Sequence, residues 1–157
     1  IDSLWDANMD MLSVHNGIDP YDTEWPIYAR TPTRPPHFTG PDAVVRHSLM
    51  TGGCVVDGEV ENSVLFHSVT VEKGAKVRYS ILMPGAVVKE GAEVSYAIVA
   101  EKAVIGAGAK VGAPPDPEGA SEDWGIAVVA EGIKVGDGAT VAPKAMVTRN
   151  VKGGAAK

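Results

Sequence analysis

Only one cysteine, Cys54, stands in the 157 residues, so no internal disulfide can form and the chain suits a reducing, cytoplasmic setting. Aromatic residues make up only 6% of the chain. With 18 glycines and 11 prolines beside them, this scarcity points to short strands and many turns rather than to helices with large cores. The formal net charge is −6, but no block of like charges exists, which argues against a nucleic-acid surface. No apolar run is long enough to cross a bilayer, and no signal peptide is visible. A Walker-type phosphate loop and a dinucleotide G-x-G-x-x-G are also missing. Cys54, set in "GGCVV", reads as a small core filler rather than a nucleophile.

What the sequence has in abundance is a repeat. "GAKV" stands at 74–77, "GAEV" at 91–94, "GAKV" at 108–111 and "GATV" at 138–141. The first three copies are spaced 17 residues apart. Laid out in coils, the chain places branched aliphatics in three columns. The first holds Leu65, Leu82, Val99 and Val129; the second Val71, Val88, Ile105 and Val135; the third Val77, Val94, Val111 and Val141. Successive columns lie six residues apart and the closing step is five. That spacing suits neither a helix nor a plain alternating strand. It suits a short strand followed by a corner, with one aliphatic side chain pointing inward on each of three sides.

The expected fold is therefore mainly β: a parallel β-helix of hexapeptide repeats, about five coils, preceded by one short α-helix and an extended Pro-rich linker. Its left hand follows from resemblance to hexapeptide proteins, against the usual crossover rule. Glycine and alanine are expected at corners, where space is short and positive φ is needed. The coil at 47–61 is two residues shorter and puts Met50, Val56 and Val60 in the columns, with Val45 before them. Thirteen extra residues at 113–125, "APPDPEGASEDWG", read as a loop pushed out of a corner. Of its two readings, a tolerated insertion outweighs a docking arm anchored by Trp124.

Residues 1–41 read as the junction. A helix is expected over 3–15, with Ser3 and Asp6 as a capping-box-like start, Trp5, Met9 and Leu12 on one stripe, and Asn16-Gly17 as the stop. "TPTRPPHFTGP" then forms a stiff linker. The β-helix domain is placed at 42–150 and a frayed tail at 151–157. Because the chain opens at Ile1 in what reads as mid-helix context, it is expected to be a piece of a longer protein.

Candidate chemistry is sparse. An acyl-CoA-dependent acyltransferase would need a histidine general base; His67 stands on a coil side, and a lone surface histidine is more often inert. Zinc sites of the kind found in β-helix carbonic anhydrases need three converging histidines; the coils hold His47 and His67 only, so no metal is expected. Arg30, Arg34 and Arg46, with Lys73 and Arg78 nearby, read as solvated surface or as an anion site gripping the phosphate of an effector.

The order "IDSLWDANMDML", "YDTEWPIYAR", "PPHF", "NSVLFHSVTVEKGAKV" and "YSILMPGAVV" resembles the C-terminal part of the bacterial glucose-1-phosphate adenylyltransferase family, clearly to about residue 112 and more diffusely beyond. The resemblance implies a parent enzyme that makes ADP-glucose and pyrophosphate from ATP and glucose 1-phosphate with Mg²⁺, feeding glycogen synthesis. It implies that the catalytic residues lie in an N-terminal domain absent from this chain, so that the chain itself has no catalytic residue and no cofactor. Trp5 and Met9 would then pack on that domain; the residues alone leave open that the helix stripe packs on the first coil instead. The β-helix would make subunit contacts in a homotetramer and form one wall of an allosteric site for a phosphorylated effector. Better-regulated members of the family carry arginines before the final coil; "PPDPEGASEDWG" is acidic there and has none, which argues against strong activation by sugar phosphates or moves it to other residues. The alternatives are a stand-alone acyltransferase, or the tail of another sugar-nucleotide pyrophosphorylase or of a non-catalytic paralogue.

Overall fold

The computed structural model describes residues 1–13, 22–26, 32–115 and 124–154. Three parallel sheets of six strands each carry the chain. The first sheet is built from Leu49–Met50, Val64–Leu65, Ile81–Leu82, Ala97–Val99, Ala127–Val129 and Met146–Val147. Phe38–Thr39, Val55–Val56, Thr70–Val71, Val87–Val88, Val104–Ile105 and Lys134–Val135 make the second. The third consists of Val44–Arg46, Glu59–Glu61, Lys76–Arg78, Glu93–Ser95, Lys110–Val111 and Thr140–Val141. Each strand pairs only with the strands one coil before and after it, as a solenoid requires.

Every expected column is in register. Leu65 lies opposite Leu82, Leu82 opposite Val99, and Val99 opposite Val129. Val71, Val88, Ile105 and Val135 follow one another in the second sheet. Val77, Val94, Val111 and Val141 do so in the third, with Val60 and Val45 stacked before them. Nearly all of these side chains are fully enclosed and form one continuous core. Burying each contributes about 1.5–3 kcal/mol gross, most of it offset by chain entropy.

The solenoid reaches slightly beyond the expected coils at both ends. Phe38–Thr39, inside the stretch read as linker, pairs with Val55–Val56, and Val151, in the stretch read as tail, bridges Val135. Prolines 32, 35 and 36 all lie before the strand and so remove no N–H from its ladder.

The glycines of the four repeat copies need a more exact account than crowding. Gly74, Gly91, Gly108 and Gly138 all have φ between +63° and +70°. A Cβ on Gly91, Gly108 or Gly138 would meet nothing within 4 Å. Conformation, not space, requires glycine there. The crowded position is the neighbouring alanine: Ala75, Ala92, Ala109 and Ala139 are fully enclosed.

The helix, α1, spans Asp2–Asp10, shorter than the expected 3–15. Ile1 occupies its N-cap and no side chain caps it, so the Ser3 and Asp6 capping box does not form. Met11 and Leu12 continue as a turn, and the expected Asn16-Gly17 stop lies outside the described residues. Packing rather than capping fixes α1, because Trp5 is buried against the outer face of the first sheet.

Candidate functional site

The three outer faces differ sharply in chemistry. On the third sheet, Glu59, Lys76, Glu93 and Lys110 succeed one another in register. Arg78 bonds Glu59 at 3.0 Å and reaches Glu61 at 3.7 Å, and Lys110 lies 3.9 Å from Glu93. The Arg78 guanidinium holds the Glu59 carboxyl below its usual range. These pairs are solvent-exposed and screened, so they set charge alternation more than stability. The second sheet presents Phe38, Val55, Thr70, Val87 and Val104 outward, a ladder that is apolar except at Thr70 and ends at Lys134. The outer face of the first sheet, with Ile81 and Ile98, is covered by Trp5.

Between the first and second sheets runs a corner at which Gly53, Ser68, Gly85, Lys102 and Gly132 all take positive φ. An open groove of about 300 Å³ lies along it, lined by Arg34, His67, Ser68, Pro84, Gly85, Glu101 and Lys102. Arg34 is brought there because the Gly53 N–H donates to the carbonyl of Pro35 at 2.6 Å, docking the proline segment on the corner. The His67 Nδ1 is buried and has no hydrogen-bond partner among the described residues. Two side-chain cations, one carboxylate and one imidazole therefore share the groove, a balance that favours an anion.

Of the expected effector residues, the described pair Arg34 and Arg46 is not brought together. Arg34 lines this groove. Arg46 sits on the third sheet opposite Glu61, within the field of Glu59. Arg30 lies outside the described residues. Lys73 lines a separate groove of about 290 Å³ with Asp42, Asp57, Glu59 and Lys76, where acids outnumber cations. Lys102, absent from the sequence reading, is the cation that joins Arg34. Its signal was its place one coil after Gly85, since like corners stack.

A second cluster lies at the corner between the third and first sheets. His47, Asn62, Tyr79, Tyr96 and Lys144 take positive φ there without being glycine. His47 Nδ1 and Asn62 Oδ1 are 2.7 Å apart. One coil on, the rings of Tyr79 and Tyr96 stack at 4.9 Å. Burial, and then the neighbouring Tyr79, pushes the Tyr96 phenol up. Trp5 stacks on Tyr96 at 5.8 Å, and Trp124 lies 5.1 Å from Trp5. Trp5 thus packs on the solenoid itself. Trp124 folds back onto the same corner rather than standing out as an anchor. Trp25, by contrast, remains 84% exposed.

Cys54 is fully enclosed, donates its Sγ–H to the Phe66 carbonyl at 3.0 Å, and has its thiol pushed up by burial, which suits a filler. Among the described residues no group of three or more His, Cys, Asp or Glu is placed to hold a metal ion. No helix among them is long and apolar enough to cross a membrane.

Comparison with known proteins places this geometry. The family model described as GlmU-like, C-terminal hexapeptide matches residues 37–135. The chain is 53% identical over 78 residues to a glucose-1-phosphate adenylyltransferase of Clostridium perfringens, a stretch covering 50% of this chain and 20% of that protein. A protein of the same description from Geobacillus stearothermophilus is 49% identical over 78 residues, again 50% of this chain and 20% of the relative. The Clostridium novyi protein is 49% identical over 71 residues, 45% of this chain and 19% of its own length. The matched stretch thus spans about a fifth of the length of these curated relatives.

Proposed function

Because the chain belongs to the GlmU-like, C-terminal hexapeptide family, we propose that it is the regulatory and subunit-contact domain of a glucose-1-phosphate adenylyltransferase. The observation that carries this reading is the 53% identity over 78 residues to a protein of that description. In the whole protein, a separate catalytic domain would transfer the adenylyl group of ATP to glucose 1-phosphate with Mg²⁺ in the cytoplasm, supplying ADP-glucose for glycogen. This chain would contribute no reacting group. Its part is rigid: a solenoid held by continuous columns keeps its outer faces at fixed spacing, which suits subunit contact and an effector site.

The apolar ladder on the second sheet, with Phe38 58% and Val55 40% exposed, is the surface we assign to contact between copies. Light scattering on the chain should read a dimer or larger; a monomer at every concentration would count against that assignment. For the phosphorylated effector we assign the corner groove, with Arg34 and Lys102 as the gripping cations and His67 beside them.

The test is a chimera. This chain replaces the corresponding segment of the Clostridium perfringens protein, and ADP-glucose formation is measured. The chimera should be active; a folded but inert one contradicts the domain assignment. Within it, Arg34→Ala with Lys102→Ala should raise the sugar-phosphate concentration for half-maximal stimulation at least tenfold, since charged hydrogen bonds contribute about 1.5–3 kcal/mol each. Unchanged stimulation would overturn the groove while leaving the domain assignment intact. An acyltransferase acting through His67 would instead turn over acetyl-CoA, and His67→Ala would abolish it.

A further inference from the structure

The corner that holds α1 is built from three parts of the chain that are distant in sequence. Trp5 comes from α1, Tyr79 and Tyr96 from consecutive coils, and Trp124 from the downstream end of the 113–125 insertion. The Tyr96 and Trp124 rings also stack, at 6.4 Å. Trp5 is only 4% exposed, and its Nε1–H donates to the Tyr79 carbonyl at 2.8 Å.

That carbonyl is open to Trp5 for a reason written in the repeat. Serines occupy the next position in successive coils. The Ser63 hydroxyl donates to the Glu61 carbonyl and accepts the N–H of Ser80. Ser80 repeats the arrangement: its hydroxyl donates to the Arg78 carbonyl at 2.7 Å and accepts the Ala97 N–H at 3.2 Å. Ala97 has no hydroxyl, and one coil later the Ala127 N–H goes instead to the Tyr96 backbone carbonyl at 3.0 Å. The equivalent acceptor for Ala97 would be the Tyr79 carbonyl. Here the Ala97 N–H goes to the Ser80 hydroxyl instead, and the Tyr79 carbonyl accepts the Trp5 indole N–H.

We propose that this corner is a latch for α1. Ser80 sets the latch by freeing the Tyr79 carbonyl, and Trp124 closes it by covering the Trp5 ring. A displacement of the insertion's downstream end, or of the Ser80 hydroxyl, loosens α1, and by linkage a displacement of α1 loosens Trp124. The latch belongs to this chain alone and does not depend on the adenylyltransferase reading.

Hydrogen exchange of the Trp5 indole N–H tests it, read by NMR on the whole chain carrying Trp25→Phe, which removes an exposed ring outside the cluster. Trp124→Ala should speed that exchange about fivefold, the worth of one aromatic contact. Ser80→Ala, which lets the Ala97 N–H compete for the Tyr79 carbonyl, should speed it about tenfold. Where Trp124→Ala fails to give a β-sheet dichroism spectrum, Trp124→Leu is read in its place. Faster exchange in both folded variants supports the latch. Wild-type exchange in either folded variant overturns it.

Discussion

Val94→Asp is expected to abolish the cooperative thermal unfolding transition of this chain, leaving it unfolded at room temperature. Val94 is fully enclosed and lies in register between Val77 and Val111, midway along the third column. The substitution forfeits about 1.5–3 kcal/mol of aliphatic burial. It also encloses a carboxylate with aliphatic neighbours and no cation, at a further cost of several kcal/mol even after relaxation. Together these approach the whole stability of an ordinary domain, about 5–15 kcal/mol. Position matters more than residue type, because Glu93 beside it already carries a charge outward at no such cost. Val104→Asp, on the half-buried outer face of the second sheet, should therefore retain a clear thermal transition. Two variants that melt alike would mean that inner and outer positions had been exchanged.

Gly112→Ala should destabilise the chain by about 3 kcal/mol or more, at least twice the effect of Gly108→Ala. Both glycines have similar φ, +68° and +63°. Holding an alanine in that region costs about 1–2 kcal/mol. For Gly108 that is the whole effect, since an added Cβ meets nothing within 4 Å. For Gly112 the Cβ would land on the carbonyl oxygen of Ser95, one coil away. That oxygen belongs to the last residue of the strand Glu93–Ser95, paired with Arg78, and cannot retreat without spreading the coils. Urea midpoints on the two variants check this, and equal losses would show that conformation alone sets the requirement.

The inner architecture was legible because a 17-residue period can place like residues over like only if the coils stack in register. Val45, Val60 and Val77 needed no partner elsewhere in the sequence to reveal their column. The helix start was misread because Ser3 and Asp6 have the right spacing for a cap, while the burial of Trp5, a contact with residues some 74 positions away, decides where α1 lies. No local pattern encodes that contact. The corner tyrosines did carry a signal, "RYS" and "SYA" one coil apart, and stacking in a solenoid turns such a spacing into ring contact. Arg34 could be picked as a cation from the sequence. Lys102 carried a corner signal, one coil after Gly85, but its meeting with Arg34 did not, because that depends on the Gly53 to Pro35 hydrogen bond that folds the proline segment onto the corner.

Supplying the isolated chain with ATP, glucose 1-phosphate and Mg²⁺ and following pyrophosphate release tests most directly whether it is scaffold and regulator rather than catalyst. The account predicts no release above the uncatalysed rate, whatever effector is added. Sustained formation of ADP-glucose by these 157 residues alone would contradict it.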